Sequence, residues 1–148
     1  MPHTYGMTIF CDDVREEVGG KKTFVGCYLD VMKFLEPYPV LIPTFVMHAT
    51  ILEPFEDANV PMNVKVIYEK LDGQEIVMFD ADLPVDRAEA VVKHDQESLL
   101  ASILSLKASP MIFDADGKIK IRGFRGGEAF RFGSLRLQGT TAPPDTNG

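Results

Sequence analysis

Apolar residues recur at alternate positions along this chain in short runs, and turn residues punctuate those runs at spacings of about ten residues. Met7–Val14 reads as a strand, Val18-Gly19-Gly20-Lys21 as a turn, and Lys22–Asp30 as the returning strand. Gly-Gly between two β-prone runs marks a hairpin, because a two-residue loop needs positive φ at its centre. With Gly19-Gly20 as that loop, Val14 faces Val25 and Glu17 faces Lys22, an apolar pair and an opposite-charge pair that both support the register. Pro37, Pro39 and Pro43 then forbid a helix and allow only an edge or an extended connection. Thr44–Leu52 (TFVMHATIL) is strongly β-prone, Glu53–Pro61 reads as an acidic loop, and Met62–Glu69 alternates around Val64 and Val66. Asp72-Gly73 turns the chain into a return strand over Gln74–Leu83.

Pro84–Glu97 is polar and mixed and reads as a long loop with room for a helical turn. In Ser98–Lys107, Leu99, Ile103 and Leu106 follow helical spacing while Leu104 and Leu106 alternate, so periodicity leaves helix and strand open. Asp116-Gly117 leads into KIKIRGF, and Gly126-Gly127 separates that run from EAFRFGSLRLQ. In this last hairpin Ile121 is expected opposite Phe132 and Gly123 opposite Phe130, with Arg122 facing Arg131. Inward parity passes to Leu135 and Leu137 beyond Gly133, which predicts a β-bulge there. About eight strands with regular turns predict an all-β, two-layer antiparallel sandwich of immunoglobulin-like or jelly-roll type. Its expected extent is a single domain over residues 1–138, with 139–148 as a flexible C-terminal tail.

Charge sharpens this picture. The 148 residues carry a net charge of −7, which disfavours indiscriminate binding to nucleic acid or to an anionic membrane. No apolar run approaches the roughly 20 residues that span a bilayer, and the N-terminus lacks the pattern of a secretion signal. A cytoplasmic location is therefore expected, where Cys11 and Cys27 remain thiols. Residues 118–138 hold Lys118, Lys120, Arg122, Arg125, Arg131 and Arg136 against Glu128 alone, a net charge of +5 that leaves −12 for the rest. Arg122 opposite Arg131 is unfavourable unless something neutralises the pair. An acidic neighbour within the fold, from the 53–57 loop or from Asp80 and Asp82, would do so; so would an anionic ligand or the acidic face of another subunit. Lys120, Arg122, Arg125, Arg131 and Arg136 are accordingly the candidate interaction surface.

Motifs for chemistry are few. The two cysteines stand sixteen positions apart with no His between them, unlike a structural zinc site. A three-residue loop in the first hairpin would bring Cys11 opposite Cys27 and permit a disulfide; the two-residue loop would not. Asp12, Asp13, Glu16 and Glu17 read as a solvated face with Lys21 and Lys22 as partners. Asp114-Ala115-Asp116-Gly117 opens like a calcium loop, but Ile119 and Arg125 occupy the positions where an EF-hand needs Gly and Glu. A looser calcium-type site would draw on Asp80, Asp82, Asp114 and Asp116, and a metal-dependent hydrolase built on them is one alternative. There is no G-x-S-x-G, Walker or H-E-x-x-H motif, and His48, flanked by apolar neighbours, is expected on the less apolar face as a surface residue. The chain is expected to be no enzyme, with no cofactor, no metal, and no catalytic residue.

The run C-D-D-x-R-x-E-x-x-G-x-K followed by G-x-Y is met by Cys11, Asp12, Asp13, Arg15, Glu17, Gly20, Lys22, Gly26 and Tyr28, and FLEPYPVLIPTF and KIRGFRGGEAFRFGSLRL continue it. In this the chain resembles a group of small bacterial and phage-associated proteins grouped only as a domain of unknown function, over residues 7–138 in outline and most closely over 10–43. The resemblance implies a β-sandwich and tilts Ser98–Lys107 towards strand; it implies no activity, cofactor or site residue. The functional expectation is a binding or assembly module acting through sheet edges and the basic last hairpin. It would self-associate or bind a protein partner, with a structural component of a phage-derived particle as a further alternative.

Overall fold

The computed structural model describes residues 3–83, 91–94 and 97–140. The strands are β1 (Tyr5–Cys11), β2 (Asp13–Glu16), β3 (Lys22–Val25), β4 (Val31–Lys33), β5 (Val40–Ile42), β6 (Phe45–Pro54) and β7 (Asn63–Lys70). After them come β8 (Glu75–Asp82), β9 (Val91–His94), β10 (Glu97–Ala108), β11 (Met111–Phe113), β12 (Gly117–Arg125) and β13 (Glu128–Gln138). The fold is all-β, as the alternation predicts, and divides the expected eight runs more finely. The ambiguous stretch at Ser98–Lys107 is strand, paired along its length with β6. Within the expected 84–97 loop, β9 pairs with the start of β10, and residues 84–90 and 95–96 lie outside the described residues. A short 3-10 turn, Phe55–Asn59, occupies most of the expected acidic loop.

Two larger sheets form the layers, one ordered β1-β6-β10-β9 and the other β4-β13-β12-β7-β8. Alternation along β6 turns Phe45, Met47 and Ile51 inward, where they meet Val64, Val66 and Tyr68 of β7 and Ile119 and Ile121 of β12. Phe113 sits at the centre of an aromatic cluster, with ring centroids 5.6 Å from Phe34, 5.6 Å from Tyr68 and 6.2 Å from Phe45. Burying rings of this size stabilises by about 1.5–3 kcal/mol each.

On one side the two layers are drawn together. There β1 lies against β13, and the Thr8 hydroxyl donates to the Phe132 carbonyl at 2.7 Å. The bulge predicted near Gly133 is present, one residue earlier than expected: Ile121 faces Gly133 rather than Phe132, while Arg122 faces Arg131 and Gly123 faces Phe130. Phe132 decides the slip, because its ring fills a slot between two strands. A Cβ added at Gly6 would lie 2.7 Å from that ring, and one added at Gly123 2.4 Å from it. Gly133, at φ +130°, takes the conformation that lets the strand recover its parity.

The first hairpin also departs from expectation by one residue. Val14 faces Phe24 and Glu16 faces Lys22, and the Glu17 amide donates to the Lys21 carbonyl at 2.8 Å to close a longer loop. This register puts half-buried Val14 and Phe24 on the same side, and Phe24 sets its ring edge against His48 at 5.1 Å. The hairpin thus covers part of the outer face of β6, and His48, expected at the surface, is only 5% exposed. At the other end of the chain, Gly139 N donates to Asp116 at 2.7 Å and the Thr140 hydroxyl to the Phe34 carbonyl at 2.7 Å. The rest of the expected tail, from residue 141, lies outside the described residues.

Candidate functional site

The basic residues of the last hairpin do not form one surface. Lys120 bridges Glu69 and Glu75, the latter at 2.9 Å, and the hydrogen bond to Glu69 holds its ammonium above the ordinary lysine value. Arg136 pairs with Asp30 at 2.8 Å on the exposed rim. Arg125, on the inward parity at the end of β12, leaves the candidate surface altogether. It crosses the sandwich to an ion pair with Glu53, whose side chain is 0% exposed, and donates to the Thr4 hydroxyl at 2.9 Å. The acidic stretch after Thr44–Leu52 therefore does supply a carboxylate to the hairpin, but to Arg125.

Arg122 and Arg131 are left as a like-charged pair. They face each other across β12 and β13, and on the far side of Arg122 the register partner on β7 is Lys65. Three cations thus lie side by side on three adjacent strands, on the outer face of the five-stranded sheet. Asp80 is the acidic end of this row, 3.9 Å from Lys65. Among the described residues no carboxylate lies within ion-pair distance of Arg122 or Arg131. The Arg122 guanidinium donates to the carbonyls of Ile121 at 3.1 Å and Gly133 at 3.5 Å, so two backbone oxygens fix it beside its neighbour. Burial, and then Arg131, push that guanidinium below its ordinary value, against the pull of Glu69 and Glu75, whose carboxylates are bound by Lys120. Lys65, 5.3 Å from the Phe124 ring, escaped sequence reasoning because its place beside Arg122 depends on β7 neighbouring β12.

A second feature lies on the side of the sandwich opposite the β1–β13 closure. There β8 is the last strand of its sheet among the described residues, and Ile76, Val77 and Met78 on it are 38%, 51% and 36% exposed. Between this edge and β10 a groove of about 340 Å³ opens into the space between the layers. Met47, Met78 and Met111 line it together with Val66, Phe79 and Leu106. Methionine side chains are flexible and polarizable, and such surfaces accept apolar groups of varied shape. A register shift between Val66 and Ile67 places Met78 out of the ladder and into the groove. Only the expectation of exposed sheet edges pointed here; the groove itself has no linear signature.

The remaining candidates have local roles. The observed register of the first hairpin is the one that sets Cys11 level with Cys27, yet both thiols are free, Cys11 buried and Cys27 exposed. Gly26, at φ +67°, turns the chain immediately before Cys27, and the Cys11 thiol donates to the Asp13 carbonyl at 3.4 Å. Asp80 and Asp82 both accept from the Asn63 amide, at 2.6 and 3.0 Å. Asp114 binds Lys70 at 2.9 Å, and Asp116 accepts from Tyr38 at 2.5 Å. The four aspartates are thus split between neighbours, and among the described residues no three His, Cys, Asp or Glu side chains gather as a metal site would require. No helix among the described residues is long and apolar enough to cross a membrane. Comparison with protein-family models and with curated proteins finds no match for this chain.

Proposed function

We propose that this protein is a non-catalytic binding module that takes up an extended segment of a partner protein along β8. The observation that carries this reading is the coincidence, on one side of the sandwich, of an apolar strand edge with no further strand paired to it among the described residues and a methionine-lined groove between the layers. An added strand would pair its backbone with the outward N–H and C=O groups of β8, and its inward side chains would fill the groove, as in strand addition generally. Glu75, Asp80 and Asp82 are the only charged residues of β8. Two copies pairing through this edge would bring like charges together, so the favoured occupant alternates apolar residues with Lys or Arg.

Selection of a random-peptide library against the protein, with Met78→Glu as the counter-selected variant, tests this. Peptides with that alternation should be enriched, and their binding should slow amide exchange in β8. Equal enrichment on wild type and Met78→Glu, or no change in β8 exchange with the selected peptides, would refute it.

A further inference from the structure

The row Arg131–Arg122–Lys65 carries an inference separate from strand capture, because it lies on the outer face of the sheet and does not touch the groove. We propose that these three side chains form a binding site for a phosphate monoester. Three cations with Asp80 at one end give the row a formal charge of +2, which a dianion matches and a single carboxylate does not. A phosphate monoester carries about −1.5 to −2 charges at pH 7. Guanidinium groups offer planar forks of N–H donors that suit its oxygens, and facing residues on adjacent antiparallel strands hold their Cβ atoms about 4.5–5.5 Å apart, close enough to share one anion.

The other cations of the hairpin explain why this pair is singled out. Lys120, Arg125 and Arg136 each have a carboxylate partner, and Lys118 faces Glu69 on β7 rather than another cation on that side. Arg122 and Arg131 sit together with no carboxylate at ion-pair distance among the described residues; Glu69 and Glu75, which act on Arg122 from further away, are bound by Lys120, and Arg122 is held in place by the carbonyls of Ile121 and Gly133. That arrangement costs stability in the free protein and is relieved by an anion between the two groups. The bulge next to Arg131 contributes as well, since it supplies the Gly133 carbonyl that orients Arg122.

The test uses the full chain, inorganic phosphate, phenyl phosphate and a phosphoserine peptide, with sodium chloride at matched ionic strength and acetate as controls. Calorimetry and thermal melting should show saturable binding and a melting temperature that rises with each phosphate compound but not with the controls. Arg131→Gln, at an exposed position, should weaken binding roughly tenfold or more, the loss expected for a charge-assisted hydrogen-bond pair. It should leave the ligand-free melting temperature unchanged or higher, because it relieves repulsion on Arg122. Arg136→Gln should bind as wild type does. Equal affinity for inorganic phosphate and the peptide would identify a small phosphorylated molecule as the ligand, and at least tenfold tighter peptide binding a phosphorylated protein. If chloride or acetate raises the melting temperature as much as phosphate, or Arg131→Gln binds phosphate as wild type does, the site does not exist.

Discussion

Replacing Arg125 with methionine isolates the ion pair that ties the two layers together. Arg125 and Glu53 have side-chain exposures of 10% and 0%, so water screens neither. The variant keeps the length and much of the packing of the arginine stem against Phe130, whose ring lies 5.5 Å from the guanidinium carbon. What it removes is the charge opposite Glu53 and the donor to Thr4. Breaking a buried pair in this way costs up to about 3–5 kcal/mol, because Glu53 loses the Arg125 counter-charge in a place away from water. With a urea slope of about 2 kcal/mol per molar, typical for a small protein, the unfolding midpoint should fall by about 1.5–2.5 M. The double variant Arg125→Met, Glu53→Gln removes both charges of the pair and should be more stable than Arg125→Met alone, giving a coupling of about 2 kcal/mol or more in a double-mutant cycle. Arg136→Met, which breaks the exposed pair with Asp30, should cost no more than about 1 kcal/mol. A loss below about 1 kcal/mol for Arg125→Met, or additive single effects, would refute the view that this pair is a buried link between the sheets.

His48 and Gly123 give two further expectations. Burial lowers the His48 pKa, Lys22 adds to the effect and Glu16 opposes it, so the unfolded chain binds the proton more readily than the folded one. Stability from this residue is therefore complete above the unfolded value of about 6.5 and is lost as pH falls through the lower folded value; melting temperatures measured from pH 7.5 to 5 should fall less steeply in His48→Leu than in wild type. Gly123→Ala would place a Cβ 2.4 Å from the Phe132 ring and 2.8 Å from the Met62 sulfur, so it should destabilise by about 1–3 kcal/mol in urea unfolding; a neutral result would mean that Phe132 is free to leave its slot.

The chain's alternation was enough to reveal its class. Period-two patterning at Thr44–Leu52, Met62–Glu69 and Lys118–Phe124 reports which residues share a face, and turn glycines at positive φ report where strands reverse. Even the bulge in the last hairpin was legible, since inward parity changes between Phe132 and Leu135. Register was less so. A one-residue slip in the first hairpin leaves an equally good set of charged pairs, and the contact of Phe24 with His48, on a strand far along the chain, selects between the two.

The sequence by itself determined that this protein is built of strands, which residues turn inward, and that a basic hairpin faces an otherwise acidic chain. Only the tertiary structure decided which cations remain without carboxylates. Local pairing is set by alternation along one strand, whereas neutralisation depends on which strands become neighbours, as when β6 brings Glu53 to Arg125 and β7 brings Glu69 to Lys120. It likewise decided that Lys65 joins Arg122 and Arg131, and that three methionines distant in sequence line one open groove, because β6, β7, β8, β10 and β11 meet there through packing of the two layers rather than through any local signal.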